Sequence, residues 1–378
     1  MARHTSWMLI LSVTALVALG LVMLMSVGAY APANKGDATY FVLRQGVFLA
    51  LGLVAAGVAM RWDYHHWIKA YWVILGVAVV ALVLCWVPGL GLTVKGSNRW
   101  VNLGFTTFQP GEMAKLAVVV FLAAWLGRHQ RKTDAFVPGF VIPLAVVSIP
   151  AALVLSTQDL GTTALLVALC VVMMFVAGTR LLYLAPVPVL ALTGLIGLAI
   201  FMPQRLSRLQ AFLDPEAHQQ GAGYQLWQSL IALGSGGLRG LGLGNSVQKF
   251  FYLPEPHNDF ILAVAGEELG MICTLAVVLF FLLIAIAGGM IAWKAPDPQG
   301  ALLAIGLTAL ISLQAIINIG VVTGVFPTKG MGLPFISYGG TNLVVVLAAV
   351  GILLNIDRQA VRPRAGPKSN LPALNVRM

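Results

Sequence analysis

Charge is what this sequence has least of. Only 10% of its 378 residues are Asp, Glu, Lys or Arg, and the acids number 13. Soluble domains carry about 25% charged residues, so an ordinary water-solvated globule is excluded. Cysteine is also scarce: Cys85, Cys170 and Cys273 each sit in an apolar run, without CxxC spacing or a neighbouring His. That pattern sets aside a disulfide framework, a zinc site and a thiol redox centre, and the three read as small packing residues. The net charge of +10 comes from basic residues scattered between apolar runs rather than from a basic patch. Nucleic acid is therefore not the expected partner.

What the chain has instead is apolar length. Hydrophobic residues make up 59% of it, and mean hydropathy is +0.90. Trp7–Val27, "WMLILSVTALVALGLVMLMSV", contains no charge; runs of about 18 or more such residues are long enough to cross a bilayer. It lacks a clear cleavage site and is succeeded by many similar runs, so it reads as a first transmembrane helix, not a signal peptide. Further spans are predicted at Phe41–Met60, Tyr71–Val87, Gly111–Leu126, Val137–Leu155, Gly161–Val176, Leu181–Met202, Phe260–Ile291, Ala301–Val325 and Leu333–Leu354. Lipid offers no partner to an open backbone group, and the barrel's alternation is missing. The expectation is an all-α polytopic membrane protein of ten transmembrane helices.

Basic residues set the orientation. With the N-terminus inside, 13 of the 23 Lys and Arg fall in inner loops and the tail against 8 outside, and the short loop Arg128–Lys132 is decisive. Both termini are then cytoplasmic. Residues 1–358 read as a single ten-helix domain, and 359–378 as a basic, disordered tail. Two long connections face outward, Pro88–Pro110 and the larger one between helices 7 and 8, 203–258. Loops beyond about 12–15 residues tend to be functional or disordered. Within the second, "GYQLWQSLIALGSGGLRGLGLGNSVQK" reads as a short amphipathic or re-entrant helix and then a Gly-rich turn. Its glycines fit neither GxGxxG nor GxxxxGK[ST], so close backbone packing is their expected role.

Ionisable residues at membrane depth are costly and mark candidate sites. Four of the 13 acids, Glu255, Asp259, Glu267 and Glu268, fall within "EPHNDFILAVAGEE". Glu267 and Glu268 lie about 12 Å deeper than Asp259 on a regular helix, where a cavity or a basic partner must meet them. Glu112 and Lys115 are three apart on one helical face, which suits either an ion pair or an anion site. Asp159 heads a span, where it suits the helix dipole. Asp259 stands at the junction of the large loop and the next span; Asn258 can cap that helix, which frees Asp259 to act as a general base. Of the outward basic residues Lys95, Arg99, Arg205, Arg208, Arg239, Lys249 and Lys329, a subset can converge on a pyrophosphate.

Three stretches carry a resemblance: "GYQLWQSLIALGSGGLRGLGLGNSVQKFFYLPEPHNDFILAVAGEELG", "GSNRWVNLGFTTFQPGEMAKL" and "PTKGMGLPFISYGGTN". The chain resembles the SEDS family (shape, elongation, division, sporulation) from the first span to Arg358, and its "GLGNSVQK", "INIGVVTGVFPTKG" and "PFISYGG" resemble the division branch rather than the elongation branch. The resemblance implies a ten-helix peptidoglycan glycosyltransferase that polymerises lipid II at the outer face of the bacterial cytoplasmic membrane, at the division septum. The family's catalytic aspartate lies in "HTDF"; "HNDF" places Asp259 there. "QPGE" stands for the commoner "QPSE" and keeps Glu112 and Lys115, while "STQDLGTT" lacks the proline of "QPDLGT". On this reading Arg99, Lys115, Arg205, Lys329 and Glu112 bind substrate or pyrophosphate. Gln248, Lys249, Glu255, His257, Glu267, Glu268 and Ser337 support the site. No organic cofactor is implied; a divalent cation, magnesium or manganese, is allowed, with its ligands unknown. The implied partners are lipid II, the nascent glycan, an FtsI-like class B penicillin-binding protein that crosslinks, and other division proteins.

Rival readings are a lipid II flippase, an elongation-type polymerase and a non-catalytic division scaffold. A transporter should gather polar groups at the midplane and at broken helices, whereas these charges gather at the outer edge.

Overall fold

Apolar runs that cannot trade backbone hydrogen bonds with water close into helices, and helices dominate the structure. A computed structural model describes residues 2–28, 39–94, 97–104, 106–201, 203–221, 223–250 and 253–361. Its elements in chain order are α1 (Ala2–Gly28), α2 (Tyr40–Arg61), α3 (Tyr64–Lys69), α4 (Tyr71–Leu84), β1 (Gly91–Val94), β2 (Ser97–Asn102) and β3 (Thr107–Phe108). Next come α5 (Pro110–Arg128), α6 (Ile142–Ser156), α7 (Leu160–Val176), α8 (Leu181–Leu184), α9 (Pro186–Phe201) and α10 (Pro203–Leu213). The last are α11 (Tyr224–Gly236), α12 (Ile261–Lys294), α13 (Pro298–Val322) and α14 (Gly340–Val361).

Seven helical segments among the described residues are long and apolar enough to cross a membrane. They are His4–Gly28, Tyr40–Arg61, Pro110–Arg128, Val137–Ser156, Ile261–Lys294, Pro298–Val322 and Gly340–Ala360. Shorter apolar helices cover Tyr71–Leu84, Leu160–Val176 and Leu181–Ala191. The bundle closes around α5, which packs on α4, α7 and α13 and buries Ala117 through Ala124 without a break. A helix this apolar on every side belongs at a centre rather than on a lipid face. α14 runs along α2; a Cβ on Gly351 would lie 2.4 Å from the Ala56 carbonyl oxygen, so only glycine permits that approach.

The sequence expectation differs from the structure in three places. The last span starts at Gly340, not Leu333, because "PFISYGG" is a non-helical turn with Phe335 at φ 67°. The span predicted at Phe260–Ile291 is interrupted: Gly270 has φ 76° and ψ −175°. A Cβ on Gly270 would stand 2.4 Å from the Gly240 nitrogen, so the glycine-rich turn lies backbone on backbone against α12. The turn's Leu241 and Gly242 N–H groups bond the carbonyls of Glu267 and Glu268 at 2.9 Å each, which leaves them no phosphate to cradle. Finally, the first long connection folds into a small antiparallel sheet, β1–β2–β3.

The bundle has two distinct ends. At one, α1 begins and α14 finishes: Ser6 Oγ donates to Asp357 and Lys294 Nζ donates to Thr5 Oγ1 at 3.1 Å. Here too the His65 ring lies between carboxylates, with Nδ1 2.7 Å from Asp63 and Nε2 3.3 Å from Asp297. The sheet, the α6–α7 turn, the start of α12 and the segment between α13 and α14 meet at the other end.

Candidate active site

Asp259 owes its position to the turn just ahead of α12. That helix starts at Ile261 after Phe260, and no side chain caps it; the Asn258 amide instead reaches Glu255 Oε2 at 3.4 Å. The expected Asn258 cap is thus replaced by a turn stabilised through Glu255, itself at φ 51°. Half-buried Asp259 faces Gly330, in the irregular segment between α13 and α14. A Cβ on Gly330 would be 3.4 Å from Asp259 Oδ2 and 3.7 Å from Arg99 Nη1. Carboxylate and guanidinium therefore converge on one exposed glycine from two different elements.

Arg99 comes from β2. Its Nε donates to the Thr157 carbonyl at 3.4 Å and its Nη2 to that of Gln158 at 2.7 Å, while Ser97 Oγ also bonds Thr157 O at 2.5 Å. Gln158, with φ 66°, sits where the resembled motif has proline; proline is locked near −65° and could not form this turn. Asp159 then caps α7, accepting from Thr162 N at 3.0 Å and Thr162 Oγ1 at 2.9 Å. Burial holds the Lys329 ammonium below its ordinary pKa, and the charge of Asp159 works against that drop. Asp259 and Arg99 thus share the mouth at Gly330, and Lys329, next in sequence, lies on the Asp159 side of it. A carboxylate that shares a mouth with a guanidinium can accept a proton while the guanidinium holds an anion.

The other expected residues divide differently. Lys115 is fully buried: its Nζ lies 2.7 Å from Glu112 Oε2 and 2.8 Å from Gln314 Oε1, and Asn342 also donates to Glu112 at 2.7 Å. An ammonium this enclosed does not reach the surface, so the expected pyrophosphate contacts of Lys115 and Glu112 give way to a structural ion pair. Lys249, expected to face outward, is also buried, paired with Glu268 Oε1 at 2.9 Å and donating to Gly244 O at 2.6 Å and Ser26 Oγ at 3.1 Å. Glu267 accepts from Val247 N at 3.0 Å, Gln248 N at 3.3 Å and Ser246 Oγ. These two glutamates do meet a basic partner and backbone donors, as their depth demanded, and they fasten the glycine-rich turn. Gln248 is buried beside them.

His257 stacks on Phe41 with centroids 4.3 Å apart, and its carbonyl accepts from Tyr338 N at 2.9 Å. Ser337 Oγ accepts from Leu333 N at 2.7 Å; both residues shape the wall rather than the mouth. Arg205 is on α10, but its side chain, like Lys95 and 362–378, lies outside the described residues. Among the described residues no three His, Cys, Asp or Glu side chains cluster as a protein-built metal site would. Two buried amides were missed by sequence reading, Gln314 and Asn318; their signal was polarity at i and i+4 inside an apolar run.

A helical bundle with one charged mouth at a single end defines a class of membrane protein, and comparison with known chains specifies it. The family model described as "Cell cycle protein", for FtsW, RodA and SpoVE, matches residues 6–362; the chain belongs to that family and is a multi-pass membrane protein. It is 44% identical over 371 residues to the "Probable peptidoglycan glycosyltransferase FtsW" of Thioalkalivibrio sulfidiphilus, covering 97% of this chain and 92% of the relative. It is 40% identical over 352 residues to the stage V sporulation protein E of Bacillus subtilis, covering 93% and 96%. Among solved structures, a chain from a peptidoglycan synthase complex that coordinates polymerization and crosslinking aligns with TM-score 0.79 at 27% identity, covering 94% of this chain and 98% of that one. RodA of Thermus thermophilus aligns with TM-score 0.69 at 27% identity over the same shares.

Proposed function

We infer that this chain is a peptidoglycan glycosyltransferase that polymerises lipid II into septal glycan strands. The observation that carries the mechanism is the convergence of Asp259 and Arg99 on Gly330, beside Lys329, at the end away from both termini. Asp259 accepts the proton of the acceptor sugar's 4-hydroxyl as that oxygen attacks C1 of the donor. The new O–C1 bond forms as the bond from C1 to the phosphate oxygen breaks. Undecaprenyl pyrophosphate leaves with that electron pair, and Arg99 and Lys329 stabilise its developing charge.

The seven long and three shorter apolar helices are read as ten spans, with both termini cytoplasmic and the mouth outside. Thiol labelling of Arg131→Cys from outside intact cells would overturn that orientation. The chain is placed at the septum of the cytoplasmic membrane with an FtsI-like transpeptidase as its crosslinking partner; equal turnover with and without that partner would count against the pairing. Purified protein and fluorescent lipid II in vesicles test the activity itself. Polymer is expected; translocation without polymer would make the chain a flippase, and the absence of both polymer and translocation would make it a scaffold.

A further inference from the structure

Asn318 carries no charge, yet it touches both halves of the site. It lies on α13 and is 1% exposed, where an amide is costly unless its hydrogen bonds are made. Its Nδ2 donates to the Asp259 carbonyl at 2.8 Å and to the Met331 carbonyl at 2.7 Å. Both partners are backbone carbonyls, which only accept, so chemistry fixes the amide's orientation: only its NH2 can face them. Its Oδ1 is buried without a hydrogen-bond partner among the described residues. An apolar side chain of the same shape would avoid that unmet acceptor; what the amide adds is the pair of bonds.

Those bonds join the two segments that build the mouth. One carries Asp259 just ahead of α12. The other carries Lys329 and Gly330, and Met331 N bonds back to Lys329 O at 3.0 Å. Residues 327–333 have no regular secondary structure, and no side chain caps α12. Neither segment is therefore fixed by a ladder or cap at this point. One turn earlier, Gln314 donates to Gly332 O at 3.0 Å, but Asn318 alone of this pair also reaches the Asp259 segment. We propose that Asn318 is a positioning residue, whose single NH2 group sets the separation between the Asp259 carboxylate and the Lys329–Gly330 segment that Arg99 faces. The proposal rests on Asp259 acting as the general base, since a misplacement of about 1 Å can cost about 10²-fold in rate.

The test uses the detergent-purified full chain and Asn318→Leu. Amide hydrogen exchange should rise in both 253–260 and 327–333 while α5 stays protected. Lipid II polymerisation should fall by about 10- to 100-fold in kcat. In an Asp259→Asn background the same substitution should cost little more, because a residue acting through Asp259 has nothing further to misplace. If Asn318→Leu does not accumulate, Asn318→Ala is read the same way. Unchanged exchange in either segment, or a full multiplicative loss in the double variant, overturns the proposal. A wild-type chain that makes no polymer would defeat the activity reading instead, and the exchange measurement would still decide the positioning.

Discussion

Asp259 and Glu268 are nine residues apart in one segment, yet their carboxylates end in opposite circumstances. Glu268 is 0% exposed and accepts from Lys249 Nζ at 2.9 Å, from Ser26 Oγ at 2.7 Å and from Ser246 N at 3.4 Å. Asp259 is half-buried and opens toward an exposed glycine that Arg99 also faces. A charge enclosed among fixed donors cannot change partners without leaving a bare ion in low dielectric. A charge at a mouth can meet a substrate. Acids in a membrane protein thus divide by enclosure rather than by proximity in sequence.

The sharpest way to break this comparison is Asp259→Asn, which keeps size but removes proton acceptance. Polymerisation should fall about 10²–10⁴-fold with the melting temperature unchanged; near wild-type strand synthesis would move the base elsewhere. At the enclosed site the expected loss is of stability. Lys249→Met strands Glu268 as an unpaired buried charge, a change that costs about 3–5 kcal/mol. Adding Glu268→Gln should restore much of the melting temperature, and an unaltered melting point in Lys249→Met would sink the structural reading.

Lys329→Ala should weaken lipid II use about tenfold or more, since a hydrogen bond to a charged group contributes about 1.5–3 kcal/mol. Stability should not fall, because the ammonium is already disfavoured by burial; unchanged kcat/KM would reduce Lys329 to a wall residue. The smallest effect lies at the other end of the bundle. Burial alone would raise the Asp63 carboxyl, but hydrogen bonds from Gln359 and His65 outweigh it and hold the pKa at about 2, below the ordinary 3.8. Its contribution is therefore present above pH 3.8 and lost as pH falls through 2. Asp63 is 45% exposed, so screening limits the effect to about 1 kcal/mol or less. Asp63→Asn should lower stability slightly at about pH 6, and the difference should shrink as pH falls through about 2; a gap that widens in acid would reverse the sign.

The helices were legible because membrane spans need long apolar runs, and such runs are visible one residue at a time. Trp7–Val27 needs no partner to be recognised. Where a helix stops was less legible: the break at Gly270 depends on a backbone approach to the distant Gly240, and the late start of α14 at Gly340 on the turn at Phe335 and on the Phe48 ring packed against Gly340. The sheet from Gly91 to Phe108 was missed because short strands in a mixed polar stretch carry little periodicity.

The sequence by itself determined that this chain is an apolar multi-pass helical protein with its acids concentrated around "HNDF", because composition and run length act locally. It also displayed every charge that matters. Only the tertiary structure decided which of those charges are enclosed. Lys115 and Lys249 looked as available as Arg99 and Lys329, and they are consumed by Glu112 and Glu268 inside the bundle. Burial is a property of what packs around a residue, and the neighbours of Asp259, from β2 and the segments beside α12 and α14, come from parts of the chain that no local pattern connects.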